Sequence, residues 1–465
     1  MKKVLFIAYY FPPIGGSGTQ RPTKFVKYLP EFGWQPYVIS TDRPYGDGIE
    51  GRDETLLADL PADLQVWRIP TPQPRPVYRV AQWLGWRSSA VEAYRRGVTP
   101  PPTSTLPAAS RPTTWLTRLR HAVLAPLYWI HNPPVDPALY WAFSIAPLAQ
   151  RIIRREKIDV VFITVPPWSS LLTGALLSRL TGRPWVADFR DPWTDNEFTY
   201  APSRLRRRCD EFLERRLLDR ADAVISVTLP CLEGLRAKTR HADKPFVLIP
   251  NGWDQSDFPD LAQVRAGIAP PDPTAGCIVL LHPGSAYQGE PRPLLAALDR
   301  LASDGTNLER LRFRFVGYVH LEDRQAIADS PYRRLFRLDP DRVPHGQALR
   351  LMREAHVLLL LRKGPGASSG KVFEYMVAGR PVLSIGSGVG SRLVEETGVG
   401  VGIAPEDAEG LAGVLRQIAE DYAGFVARHY RPHWPLIEQY ERRALTGRLA
   451  EMLDAVSGRQ SGALR

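Results

Sequence analysis

The chain has 465 residues, with 60 Lys+Arg against 49 Asp+Glu and a formal net charge of +11. Its cations are 51 arginines and nine lysines, and 44 residues are proline, about twice the usual share. With 44% hydrophobic and 10% aromatic residues, the composition excludes wholesale disorder and leaves room for two or three domains.

The first residues, Met1 to Phe11, imitate a signal peptide with a basic start and an apolar run. The run stops at Pro12-Pro13 without a cleavage site, so Val4 to Tyr9 reads as a buried first strand. Further strands are expected at Pro36 to Ser40, Val160 to Thr164, Trp185 to Asp188, Ala223 to Val227 and Val247 to Ile249. Helical patterns lie between them, at Thr19 to Leu29, Ala142 to Arg155, Ser170 to Leu180 and Ser203 to Leu218. A second series restarts at Cys277 to Leu281 and continues through Phe313 to Val316, Val357 to Leu361 and Pro381 to Ser384. Continuous apolar strands alternating with helices imply parallel sheets covered on both faces. The expected fold is therefore α/β, with two Rossmann-like doubly wound domains at residues 1–253 and 272–429. After Pro432 and Pro435 a final helix, within 430–465, is expected to cross back to the first domain.

The +11 is unevenly placed. Residues 65–135 hold nine arginines and one acid, Glu92, together with five of the twelve tryptophans. Fourteen prolines fall between Pro61 and Tyr140. This reads as an insertion of about 71–131 with short helices. Within it, Thr114 to Ile130 places Trp115, Leu119, Val123, Leu127 and Ile130 on one helical stripe. A basic, tryptophan-bearing helix suits anionic lipid; a surface helix packed on its own domain is the alternative. Cys209, Cys231 and Cys277 show neither metal-ligand spacing nor disulfide density. No run approaches the ~18 apolar residues of a spanning helix. The expectation is a cytoplasmic protein, peripheral at the inner face of the plasma membrane.

Four segments carry chemistry. After the first strand comes Phe11-Pro-Pro-Ile-Gly15-Gly16-Ser17-Gly18, leading into a helix with Arg21. Glycines let backbone N–H groups approach an anion, and a helix N-terminus favours negative charge; a plain tight turn is the alternative. Asp188-Phe-Arg190-Asp191 follows the strand at Trp185, where open α/β sheets place their ligands. An acid there can accept a hydroxyl proton, and Arg190 can hold an anion, unless the two form a structural pair. In the second series, Gly284, Ser285, Gly289 and Arg292 occupy the loop after the first strand, and Gly317 follows the second. Finally, a glycine and serine loop ends in Ser369-Gly370-Lys371-Val372-Phe373-Glu374. Its amides and Lys371 suit a diphosphate, and Glu374 suits ribose hydroxyls. A surface Lys–Glu pair at i, i+3 is the alternative.

Phe11-Pro-Pro-x-Gly-Gly with Arg21, then Ala-Asp-Phe-Arg-Asp-Pro-Trp, then Ile249-Pro-Asn-Gly-Trp-Asp254, then Gly370-Lys-Val-Phe-Glu-Tyr with Gly379-x-Pro381 resemble bacterial group 4 glycosyltransferases of the GT-B fold. The resemblance implies two domains facing across a cleft. It implies retaining transfer of a sugar from a nucleoside-diphosphate sugar, UDP before GDP, to a saccharide or lipid-linked saccharide acceptor in surface-polysaccharide assembly. Asp191, Arg190 and Glu374 become catalytic candidates. Gly15, Gly16, Ser17, Arg21, Asp188, Gly284, Ser285, Arg292, Gly317, Ser369, Gly370, Lys371, Val372 and Phe373 become binding candidates. No metal is implied, and Asp339-Pro-Asp341, the sole DxD-like segment, reads as a loop. No cofactor is expected beyond the nucleotide-sugar co-substrate. Three positions depart from the family pattern: Gly366 stands where a first glutamate is usual, Arg190 stands where many relatives have histidine, and Ser285 and Gly289 stand in the loop that often carries Arg and Lys. Alternatives are a non-transferring GT-B enzyme such as a nucleotide-sugar epimerase, or a basic polyanion-binding protein. No nucleic-acid-binding motif is present, so no nucleic-acid partner is expected.

Overall fold

The apolar runs become two all-parallel sheets. In the computed structural model, residues 1–44, 51–72, 135–196, 204–241, 243–266, 276–339, 343–361 and 370–458 are described. They form two compact units, one of Met1–Ile249 with Thr446–Arg465 and one of Pro250–Leu445.

The first unit holds β1 (Lys2–Ala8), α1 (Ser17–Tyr28), β2 (Trp34–Ser40), β3 (Gln65–Arg68), α2 (Leu139–Ser144), α3 (Ala146–Glu156), β4 (Val160–Val165), α4 (Ser170–Thr181), β5 (Trp185–Phe189), α5 (Arg204–Arg220), β6 (Ala223–Ser226), α6 (Leu229–Lys238) and β7 (Phe246–Leu248). Its strand order is β3-β2-β1-β4-β5-β6-β7. Register pairs such as Ile7 with Ile39, Ile7 with Ile163 and Ile163 with Ala187 stack apolar side chains across the sheet. Val4 through Ala8 are wholly buried, which stabilises by roughly 1.5–3 kcal/mol per large side chain.

The second unit holds α7 (Leu261–Arg265), β8 (Ile278–Pro283), α8 (Arg292–Ser303), β9 (Leu311–Val316), α9 (Leu321–Asp329), β10 (Phe336–Asp339), α10 (His345–Glu354), β11 (Val357–Leu361), α11 (Lys371–Tyr375), β12 (Val382–Ile385), α12 (Val389–Glu396), β13 (Gly400–Ile403), α13 (Ala408–Glu420), α14 (Tyr422–His429) and α15 (Trp434–Ile437). Its order, β10-β9-β8-β11-β12-β13, repeats the pattern of the first sheet. In both sheets the order reverses beside the first strand, between β1 and β4 and between β8 and β11. Ligands of open parallel sheets bind at the carboxyl ends of the strands at such a reversal.

Two expectations change. The chain returns to the first unit at Thr446, within α16 (Arg442–Ser457), rather than at 430. Residues 430–445 stay with the second unit because Arg431 and His433 donate backbone bonds to Gly398 and Thr397, and Arg442 donates to Trp253. From Thr446 on, α16 packs on the first unit, where Lys2 meets Asp454 at 2.7 Å and Arg448 donates to the Leu248 carbonyl. Asp339 lies on strand β10 rather than in a loop, and its carboxylate accepts from Arg314 at 2.8 Å and Arg337 at 2.9 Å. Burial works to raise that carboxyl, but the two arginines outweigh it and hold it below the ordinary carboxylate value. Nearly all of the expected insertion, including the helix from Thr114 to Ile130, lies outside the described residues, as do Gly366, Ser369 and Asp341.

Candidate active site

In the second unit, the reversal of strand order brings the end of β8 beside the start of α11. Gly284 has φ 114°, a conformation side chains rarely adopt. A β-carbon there would lie 2.5 Å from Lys371 Nζ. Gly317 has φ 120°, and a β-carbon on it would press against the Gly284 backbone at 3.1 Å. The two glycines thus let the loops after β8 and β9 touch, while the Lys371 ammonium lies against Gly284. His282, buried at the end of β8, sits below them. Its Nδ1 is 3.0 Å from the Leu359 carbonyl and its Nε2 is 3.4 Å from Lys371 Nζ. The ring thus bridges the Leu359 and Ser285 carbonyls, the latter 3.2 Å from Nε2, and stands beside the Lys371 ammonium as a fixed polar neighbour.

Glu374, on α11, meets His345 at the start of α10, Oε1 to Nε2 at 2.9 Å. Both are less than a fifth exposed. Neither His282 nor His345 is among the residues picked from sequence. His282 stands two residues before Gly284 at the end of β8, but nothing in the spacing aims it at Lys371. His345 gives no signal at all, since it pairs across 29 residues.

Other candidates are placed differently from the expectation. Val372 and Phe373 have fully buried side chains within the apolar core, so only their backbone can meet a ligand. Helix α11 has five residues, too short for a large dipole, and the point charge of Lys371 matters more. The loop after β8 is not a cradle of open amides. The N–H groups of Gly284, Ala286 and Glu290 bond to backbone carbonyls, that of Tyr287 to Glu290 and that of Gly289 to Asp323. Arg292 pairs with Asp323 at 2.9 Å and Glu322 at 3.6 Å, so its charge is matched by acids rather than turned on a diphosphate. Ser285 contributes its carbonyl, 3.2 Å from His282 Nε2. Gly370 caps α11 and lies beside Asn251.

In the first unit, Arg21 on α1 and Asp188 on β5 form a bidentate pair, with Nη2 to Oδ1 at 2.8 Å and Nε to Oδ2 at 3.0 Å. Their side chains are 1% and 0% exposed. Both were expected to touch substrate; they touch each other out of reach of solvent, and so act by tying α1 to the sheet. Gly15 donates its N–H to the Gly51 carbonyl, which takes that amide away from any anion. Gly16 has φ 94° and starts α1; nothing is described of the Ser17 side chain.

Arg190, half-buried, donates to the carbonyls of Val165 at 3.3 Å and Pro166 at 2.5 Å, and lies over the Tyr10 ring at 5.9 Å. Burial pulls its guanidinium below the ordinary value, Asp191, Asp188 and Tyr10 push it back up, and Arg21 adds to the lowering. A β-carbon on Gly18 would come 2.2 Å from Arg190 Nη1, so Gly18 is what admits the guanidinium to the start of α1. Asp191 beside it is exposed. The loops after β4 and β5 are joined again by Trp168 stacked on Trp193, with centroids 6.3 Å apart and planes at 7°.

Two doubly wound parallel-sheet units in one chain, each with polar side chains gathered where its strand order reverses, define the GT-B class of fold. Residues 111–257 match the model of the family described as Glycosyltransferase Family 4. Among solved structures, Anabaena HepE in complex with UDP and glucose is 16% identical with a TM-score of 0.61, over 98% of this chain and 100% of that one. A glycosyltransferase from Rickettsia africae is 14% identical with a TM-score of 0.55, over 98% of each chain. The lipopolysaccharide outer core galactosyltransferase WaaB, in its apo form, is 12% identical with a TM-score of 0.55, over 98% of this chain and 99% of that one. At such identities the likeness speaks for the fold. No curated relative matches the chain. Over residues 111–257 the chain thus resembles family 4 glycosyltransferases, and along its length it has the GT-B fold.

Proposed function

We propose that the protein transfers a sugar, with retention and without a metal, from UDP-sugar to a saccharide or lipid-linked saccharide in surface-polysaccharide assembly at the inner face of the membrane. The observation that carries the donor half is the Lys371 ammonium lodged against Gly284 and backed by His282 at the reversal of the second sheet. A fixed cation there stabilises the charge that gathers on a departing diphosphate. Glu374, oriented by His345, bonds the ribose hydroxyls. The UDP bound by Anabaena HepE supports uridine as the base.

On the acceptor side, exposed Asp191 takes the proton of the attacking hydroxyl, and Arg190 holds an anionic group of the acceptor. The acceptor oxygen bonds to the anomeric carbon on the face the diphosphate leaves. The bond between that carbon and the diphosphate oxygen breaks with its electron pair going to the diphosphate, so no protein nucleophile is needed.

A thermal-unfolding panel of UDP, GDP, ADP and their sugars tests the donor. A ligand that binds only the native state at 100 times its Kd adds about 2.7 kcal/mol. UDP is expected to raise the melting temperature most. A larger rise with GDP overturns the base, and turnover of UDP-sugar that needs no acceptor overturns the transfer.

A further inference from the structure

Helix α5 is sorted into two faces. Inward, Arg206 pairs with Asp210 at 2.8 Å, Glu214 accepts from Lys238 at 2.7 Å, and Leu217 and Leu218 are buried. Outward, Leu205, Arg208, Phe212, Arg215 and Arg216 recur at i, i+3, i+7, i+10 and i+11, one stripe of an α-helix. Leu205 is 69% exposed and Phe212 57%, while the three arginines are exposed on either side of them. The guanidinium of Arg216 lies over the Phe212 ring at 5.4 Å. Of the helix's acids, Asp210 and Glu214 point inward and Glu211 pairs with Arg207 at 3.1 Å, while Asp219, at the end of the stripe, accepts from Thr239 and Arg240.

We propose that this face of α5 docks on an anionic phospholipid surface, with Leu205 and Phe212 entering the acyl boundary and Arg208, Arg215 and Arg216 meeting the headgroups. The complementarity is twofold. Two bare apolar side chains about 10 Å apart along the helix gain nothing from a nucleic acid, which would want the arginines alone. Arginines whose stems lie along apolar surface while their heads reach outward are suited to the level of lipid headgroups. The same unit also carries, between residues 65 and 135, nine arginines against one acid, so its charge and this face attract the same surface. The inference deepens the reading of a membrane-side acceptor and rests on it for its purpose, but its test is independent of transfer.

Cys209 is exposed on the flank of the stripe and serves as the probe. In the full chain carrying Cys231→Ser and Cys277→Ser, an environment-sensitive thiol dye on Cys209 is read with vesicles of phosphatidylcholine, with and without phosphatidylglycerol. Expected are a blue shift and co-sedimentation with the anionic vesicles only, both reversed by high salt. Each Arg→Gln change at 208, 215 and 216 is expected to weaken partitioning about fivefold. The Leu205→Ser, Phe212→Ser pair is expected to remove the blue shift, with thermal unfolding and the UDP-induced shift left as in the parent. The proposal is overturned by a parent that does not bind anionic vesicles, by binding with an unshifted dye and unaffected variants, or by a dye shift that self-association produces without lipid.

Discussion

Lys371 Nζ occupies the space that a side chain on residue 284 would need: a β-carbon built on Gly284 falls 2.5 Å from Nζ and 2.6 Å from Cε. Gly284→Ala must therefore swing the ammonium away and also hold alanine at φ 114°, which costs about 1–3 kcal/mol. Gly305 separates the two effects, since its φ of 74° is also positive but nothing lies within 4 Å of its β-carbon position. Both alanine variants are expected to unfold at lower temperature. Only Gly284→Ala is expected to weaken UDP binding, by about tenfold, approaching Lys371→Ala. Calorimetric titration of UDP makes the comparison, and equal affinities in the two glycine variants would detach Lys371 from the diphosphate.

The hydrogen bond between His345 and Glu374, at 2.9 Å, makes a graded prediction. Removing a partner from a half-buried carboxylate costs about 1–3 kcal/mol, and that cost falls on the orientation of Glu374. Glu374→Ala is expected to reduce transfer about a hundredfold. His345→Ala should raise KM for the donor about tenfold with a smaller change in kcat, and His345→Gln, which keeps an N–H donor, should recover most of it. Steady-state kinetics on the three variants decide, and a His345→Ala enzyme with unchanged KM removes the histidine from donor binding.

Why one histidine escapes a reading of the sequence while its glutamate does not is a matter of range. Glu374 sits beside Lys371 within one helical turn, a pattern visible in the chain; His345 reaches it from another element. The same limit hides the partner of Arg21, which stands 167 residues away on β5. Read alone, a cation behind a glycine loop looks like an anion site, and only packing reveals that Asp188 already occupies it. Strands follow a parallel rule. β1, β4, β5, β8 and β11 are buried on both faces and write themselves as continuous apolar runs. Three of the four edge strands, β3, β10 and β13, are half-exposed, and their short stretches Gln65–Arg68, Phe336–Asp339 and Gly400–Ile403 mix polar residues or glycine with apolar ones, whereas the fourth, β7, is wholly apolar and legible. No run of either kind marks the other three.

If the buried Arg21–Asp188 pair ties α1 to the sheet, its loss should be felt as stability before it is felt as affinity. Asp188→Asn leaves a guanidinium that is 1% exposed without its counter-charge, at a cost of about 3–5 kcal/mol. Replacing both, as Arg21→Met with Asp188→Leu, removes the unpaired charge and is expected to be less damaging than either single change. Chemical denaturation of the parent, Arg21→Met, Asp188→Leu and the double variant gives the coupling, with Asp188→Asn as the isosteric control. Were the pair a substrate contact instead, the single variants would unfold like the parent and lose only affinity.

Lys244 supplies a test in pH. The residue is 9% exposed, and its ammonium donates to the carbonyls of Leu218, in the last turn of α5, and Ala221, just past it. Burial pulls it from 10.5 to about 8, against the opposing pull of Asp219, Asp222 and Asp243. With the folded value below the unfolded one, the unfolded chain binds more protons between pH 8 and pH 10.5, so stability attributable to this group rises with pH across that window. Below pH 8 the lysine is charged in both states and the burden of burying the charge is carried in full. The rise amounts to about 3 kcal/mol. Lys244→Met carries no titrating group, so the difference between parent and variant stability, followed by denaturant unfolding from pH 7.5 to pH 10.5, is expected to shift in favour of the parent as pH rises. A constant difference across that range would mean that the two carbonyls hold the ammonium charged at its ordinary value, and that the lysine acts as a plain cap on the end of α5.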